Sequence, residues 1–119
     1  MPYDGAVSFQ NSVSATLTTG PLNDLGVPTL TGYKSGATNR LLLTPATGGS
    51  TINGIDASGC SDGYTIMIVN QSTTDNLTFA HNGGGISTNQ FSNTQAQSVA
   101  LLPLGAARCT YVISRWRFA

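Results

Sequence analysis

Little in this chain carries charge. Asp, Lys and Arg together make up 8% of its 119 residues, where about 25% is usual. Glu is absent, and the five acids are Asp4, Asp24, Asp56, Asp62 and Asp75. Lys34 and four arginines balance them to a net charge of zero. Without a basic surface to neutralise phosphates, nucleic-acid binding is excluded as the expected role. Long apolar runs are missing as well, and none approaches the ~20 residues of a membrane helix. Residues 1–5 hold no basic region and no apolar stretch, which reads against a secretory signal. Strong helix formers are scarce, while Thr, Val, Ile and Gly are common, so the chain reads as all-β with many turns. The only cysteines are Cys60 and Cys109. They could close one loop of about 50 residues, worth roughly 4 kcal/mol by loop entropy. Two buried thiols is the simpler reading in the absence of a secretory signal.

What is present is apolar and uncharged polar. The apolar share is 39%, and Ser, Thr, Asn and Gln supply 42 residues. That much apolar material is more than a disordered chain holds, and 12.3 kDa suits one domain. A surface with so little charge lacks the usual protection against association, so it is expected to be covered by partners.

Strands follow from alternation. Residues 6–10 and 13–17 alternate, but Gly20-Pro21 and Val27-Pro28 interrupt the segment. Residues 1–35 are therefore expected to form an extended arm or edge strands, and residues 36–119 a β-sandwich domain. Further strands are expected at 40–44, 51–55, 63–70, 76–81, 97–102, 108–113 and 115–118. The run through Ile66 and Ile68 is apolar on both faces, as in a central strand covered on both sides. Cys109, Tyr111 and Ile113 share a face, as do Trp116 and Phe118, with Arg115 and Arg117 opposite them. Seven to nine short strands at roughly ten-residue spacing suggest a β-sandwich of jelly-roll-like type. No repeat is visible. The expected core comprises Ile66, Ile68, Phe79, Tyr111, Trp116 and Phe118, with Phe91 anchoring the loop over 87–98.

Chemistry-bearing clusters are weak. His81 is the only histidine, and Asp62 or Asp75 could orient it, but no Ser sits in a Gly-x-Ser-x-Gly elbow. The five aspartates sit in turn-like contexts, where Asp bonds its own backbone. Cys60, Cys109 and His81 are too scattered for a zinc site. Gly83-Gly84-Gly85 lacks the Lys-Ser/Thr of a phosphate loop. Sequons at Asn70 and Asn76 are expected by chance in so Asn-, Ser- and Thr-rich a chain. No catalytic, cofactor-binding or metal-binding residue is expected, and the protein reads as a non-enzyme. Arg115 and Arg117 are the candidates for a subunit interface, since Trp and Arg are enriched in interface hot spots.

Five segments carry a resemblance: Thr51-Ile52-Asn53-Gly54-Ile55, then Asp62-Gly63-Tyr64-Thr65-Ile66-Met67-Ile68-Val69-Asn70, then Asn76-Leu77-Thr78-Phe79-Ala80-His81-Asn82, then Asn89-Gln90-Phe91, and finally Arg115-Trp116-Arg117. This order of motifs resembles small β-domains of tailed-bacteriophage structural proteins, found in tail-fibre tips and capsid decoration proteins. The resemblance implies an all-β, trimeric, non-enzymatic protein. Fibre proteins usually place such a domain after a long shaft, whereas only about 35 residues precede it here. The expectation is therefore a capsid decoration (cement) protein, a homotrimer bound to the major capsid protein on the virion's outer capsid surface and assembled in the host cytoplasm. Tyr3, Val7, Phe9 and Leu17 are its candidate capsid-contact or arm residues. The alternative is a tail-fibre or spike tip that binds a host receptor or glycan. Neither membrane nor nucleic acid is expected as a partner.

Overall fold

A computed structural model describes residues 11–118. Among these residues the fold is all-β, a sandwich of two sheets built from eight short strands. In chain order these are β1 (Ser12–Thr16), β2 (Arg40–Thr44), β3 (Ser50–Ile52), β4 (Tyr64–Asn70), β5 (Leu77–Phe79), β6 (Val99–Leu101), β7 (Ala106–Val112) and β8 (Arg115–Phe118). One sheet has the order β1-β2-β4-β7-β8 and the other β3-β5-β6. Short 3-10 turns at Ser87–Asn89 and Thr94–Ala96 lie in the loop between β5 and β6.

Burial alternates along the strands even where the sequence is continuously apolar. In β2, Leu41 and Leu43 point inward and are fully buried, while Arg40, Leu42 and Thr44 point outward. In β4, Ile66, Ile68 and Asn70 are buried. Trp116 and Phe79 are fully buried, and Tyr111 is 7% exposed. Phe118 is half-buried and packs against the core. Its ring stacks on Phe91 with centroids 5.5 Å apart, and Phe79 meets Phe91 edge-on at 5.2 Å. Phe91 thus anchors its loop as its position suggests, with no exposed surface.

The first three strands of the larger sheet run parallel. Ser12 pairs with Arg40, and Arg40 pairs with Met67, so the chain returns to the same position 28 and then 27 residues later. The smaller sheet repeats the return, since Ser50 pairs with Leu77. Isolated bridges join Leu22 to Ile52 and Leu25 to Ile55. The chain therefore winds, and each winding stacks apolar side chains on the last, with Val13, Leu41 and Ile68 in one column and Leu22, Ile52 and Phe79 in another. The final part, from β5 to β8, closes the windings with antiparallel pairs.

Four expectations are corrected by this arrangement. The division at residue 35 is not a break in the core, because Leu25, Leu30 and Tyr33 are buried in the same cluster as Leu41 and Ile68. For 12–16 the edge-strand alternative is the one realised, and pairing with β2 dries apolar side chains that a free arm would leave wet. Leu17, expected as a contact residue, is 3% exposed and belongs to the core. Its N–H donates to the Thr44 carbonyl at 2.8 Å, which continues the parallel pairing. Tyr3, Val7 and Phe9, like the strand expected at 6–10, lie outside the described residues. β4 is central in its sheet but is not covered on both faces, because Met67 and Val69 on the outer face are only half-buried. Finally, Ile113 leaves the face of Cys109 and Tyr111, because it sits in the turn after β7 and is 71% exposed.

Candidate functional site

The closing hairpin gathers the chain's most concentrated chemistry. β8 pairs with β7 on one side, from Cys109 opposite Phe118 to Val112 opposite Arg115. On its other side it bonds the loop over 90–92. The Trp116 N–H donates to the Gln90 carbonyl at 3.0 Å, and the Ser92 N–H donates to the Trp116 carbonyl at 2.9 Å. The indole is buried, yet its Nε1–H is satisfied by the Ile55 carbonyl at 2.9 Å, as a buried Trp requires. Tyr111 lies edge-on to the indole at 5.1 Å and donates its hydroxyl to the Thr88 carbonyl at 2.7 Å.

Alternation then places Arg115 and Arg117 on the opposite, outer face. Both fold back onto the hairpin. Arg117 Nε donates to the Val112 carbonyl at 2.9 Å. Arg115 Nη1 donates to the Ser114 carbonyl at 3.0 Å, and its Nε reaches Asn82 Oδ1 at 3.4 Å. Register puts Arg40 and Arg108 on this same face, on either side of Met67. All four arginines of the chain therefore share one face of one sheet. Sequence reading singled out the last two. Arg40 and Arg108 were missed because only the pairing of β2, β4 and β7 brings them into one row.

The loops opposite are held by neutral polar side chains. Asn70 has no exposed surface. Its Nδ2 donates toward the carbonyls of Asp75, Leu101 and Leu102 at 2.9, 3.0 and 3.2 Å, and its Oδ1 accepts the Ser72 N–H. Asn89 accepts the Ala57 N–H and donates to Asp24. Asn93 donates to the Phe79 carbonyl. These buried amides replace the backbone partners that loops lack. The Gly83-Gly84-Gly85 loop lies against Asn53, Asn23 and Asp24. A Cβ at Gly83 would stand 2.3 Å from Asn53 Oδ1, and one at Gly85 would stand 2.7 Å from Asp24 Oδ2. These glycines therefore serve close packing.

His81 stands at a strand end, bridged to Phe91. Its Nδ1 accepts the Asn93 N–H at 2.9 Å, and its Nε2 lies 3.1 Å from Asn82 Nδ2. The side-chain partners of His81 are Asn82 and Asn93, not Asp62 or Asp75. Three aspartates accept backbone N–H groups, Asp56 within its own turn and the other two from distant loops. Asp56 takes the Ser58 N–H, Asp75 takes the Gly48 N–H, and Asp24 takes the Ile86 N–H. Among the described residues no three His, Cys or Asp side chains gather as a metal site would need.

Both cysteines are free thiols. Cys109 is fully buried, and that burial pushes its thiol well above the usual range. Cys60 is half-buried with its Sγ 3.4 Å from Ser35 Oγ, and burial raises it too, against the opposing Ser35 hydrogen bond. Tyr33 donates its hydroxyl to the Asp56 carbonyl, and burial raises its phenol strongly. A cavity of about 370 Å³ opens between the start of β1 and the loop bearing Gly32, Lys34 and Thr38.

Comparison with protein-family models, with curated proteins and with solved structures returns no match.

Proposed function

We propose that the chain is a tailed-bacteriophage capsid decoration protein, a homotrimer that sits on the outer capsid surface and stabilises adjacent capsomers. The observation that carries this reading is how the five motif segments come together. Ile52, Ile55, Ile66, Ile68, Leu77, Phe79, Phe91 and Trp116 are buried in one cluster. Backbone and indole bonds tie the segments directly, from Trp116 to Ile55 and Gln90, and from Ile55 to Asn89. The segments that carry the resemblance therefore belong to one structural unit. The charge-poor composition supports the same reading, because burying uncharged polar surface against a shell costs less desolvation than burying charge.

The test is a copy count in purified virions of the phage that encodes the chain. Decoration predicts a number comparable to that of the major capsid protein. A handful of copies per particle, with binding of the isolated protein to host cells, would replace this reading with a fibre or spike tip. Docking onto capsids should also change little between low salt and about 0.5 M sodium chloride, because exposed ion pairs are already screened well below that concentration.

A further inference from the structure

The turn between β7 and β8 is made of residues that suit neither its geometry nor its exposure. Two-residue hairpin turns with positive φ at both central positions favour Asn-Gly, because a Cβ crowds the left-handed backbone. Here Ile113 has φ 54° and Ser114 has φ 56°. A β-branched side chain fits that region worst. Ile113 is also 71% exposed, more than any other large apolar side chain among the described residues. The turn is nonetheless firmly held, by Arg117 on the Val112 carbonyl and Arg115 on the Ser114 carbonyl. The result is a fixed apolar knob framed by two guanidinium groups. A strained backbone that presents an apolar side chain to water brings the folded monomer no visible gain. Contact with another molecule would explain both features.

The same end of the sheet carries an anion. Asp62 is exposed, and the next residue, Gly63, donates its N–H to the Tyr111 carbonyl at 2.7 Å. Apolar tip, two cations and a carboxylate thus share one end of the sheet. Such a surface complements a rotated copy of itself. In a closed rotational contact a guanidinium of one copy can meet a carboxylate of the next, while the tips of all copies gather near the axis. The geometry points to the β7–β8 tip as a self-association contact of this chain, with Ile113 as its apolar anchor and Arg115 facing Asp62 of a neighbouring copy. This inference rests on the homo-oligomer proposed above.

Light scattering on the full chain at micromolar concentration tests it, with three variants. Wild type should have the mass of a trimer, while Ile113→Lys and the pair Ile113→Asn with Ser114→Gly should both be monomers. Between those two monomers, the Asn-Gly pair should melt about 3 °C or more higher, because it relieves the strained turn. Arg115→Asp should also give monomers, and adding Asp62→Arg should restore the trimer. If wild type and the Asn-Gly variant are both trimers, the inference falls and the trimer stands. A wild-type mass near 12 kDa overturns both. Should the charge-reversed pair stay monomeric while remaining folded, the assigned Arg115–Asp62 contact is wrong.

Discussion

One set of strands makes both faces of the five-stranded sheet, and the two faces share almost no chemistry. Inward lie Leu41, Leu43, Ile66, Ile68, Cys109, Tyr111 and Trp116, all at most 7% exposed. Outward lie all four arginines, with Leu42, Met67 and Val69 half-buried among them. The backbone ladder is common to both, so it cannot account for a difference in their importance to folding. The inner face removes apolar area from water, at roughly 25 cal/mol per Å². The outer face keeps guanidinium groups hydrated and gains little within one chain. Folding should therefore depend steeply on the inner face and weakly on the outer one.

The hardest test of that contrast is deletion of residues 1–33. It removes β1 and the buried side chains of Val13, Leu17, Leu25, Leu30 and Tyr33, leaving Leu41 and Leu43 at a bare edge. At about 1.5–3 kcal/mol for each large side chain, the loss matches the whole stability of an ordinary domain, about 5–15 kcal/mol. The truncated chain should show no cooperative thermal transition by circular dichroism. A sharp transition near that of the full chain would mean that residues 34–119 fold alone.

Next comes Trp116→Ala. It empties the largest buried side chain and strands the Ile55 carbonyl that the indole satisfied. The expected cost is about 3–5 kcal/mol in urea unfolding. The native protein should emit at short wavelength, as a dry indole does, and emission typical of solvent-exposed tryptophan would contradict the inner-face assignment.

The inner face was largely legible in the sequence, and the outer one was not. Period-two alternation marks Phe79 and Trp116 as inward, whereas the continuous apolar runs around Leu41 and Ile66 mark strands without choosing a face. It failed at Ile113, where alternation simply continued from Tyr111. A two-residue turn between two strands is normally announced by Asn-Gly, and Ile-Ser gave no such signal. It also left the windings hidden. Positions 12, 40 and 67 are Ser, Arg and Met, which pair by backbone hydrogen bonds that place no demand on side-chain identity. The arginine row depends on that parallel register, so four residues spread over nearly 80 positions could not be read as one surface. The shared feature of Leu17 and Leu30 is burial beneath later windings, which a proline-interrupted segment does not advertise.

Raising the pH probes the inner face more gently. Burial lifts the Cys109 thiol and the Tyr33 phenol above their unfolded values. The folded state thus holds these protons while the unfolded chain releases them, so stability declines as pH rises past the unfolded values, about 8.5 for Cys and 10 for Tyr. The melting temperature should be flat from about pH 6 to 8 and fall steadily above about pH 9. Cys109→Ala should melt lower at neutral pH yet lose less between pH 8 and 10. If wild type and variant have the same slope over that interval, the buried thiol is not part of the alkaline response.

The smallest effects belong to the outer face. Thr65 Oγ1 and Thr110 Oγ1 face each other across β4 and β7 at 2.9 Å, a cross-strand pair of the kind worth roughly 0.2–1 kcal/mol. Thr110→Ala should cost about that much. Arg40 bonds Ser12 Oγ through its Nε at 2.6 Å, but both groups regain water when the bond is lost, so Arg40→Gln should change stability by about 0.5 kcal/mol or less. One bond joins β1 to β2 and the other β4 to β7, so the double variant should equal the sum of the singles within about 0.5 kcal/mol. Urea unfolding at a concentration low enough to hold the protein monomeric measures this without a contribution from assembly. A loss above about 2 kcal/mol for Arg40→Gln would show that the outer face is packed as part of the fold. The contrast between the two faces would then no longer separate what folds the chain from what it offers to partners.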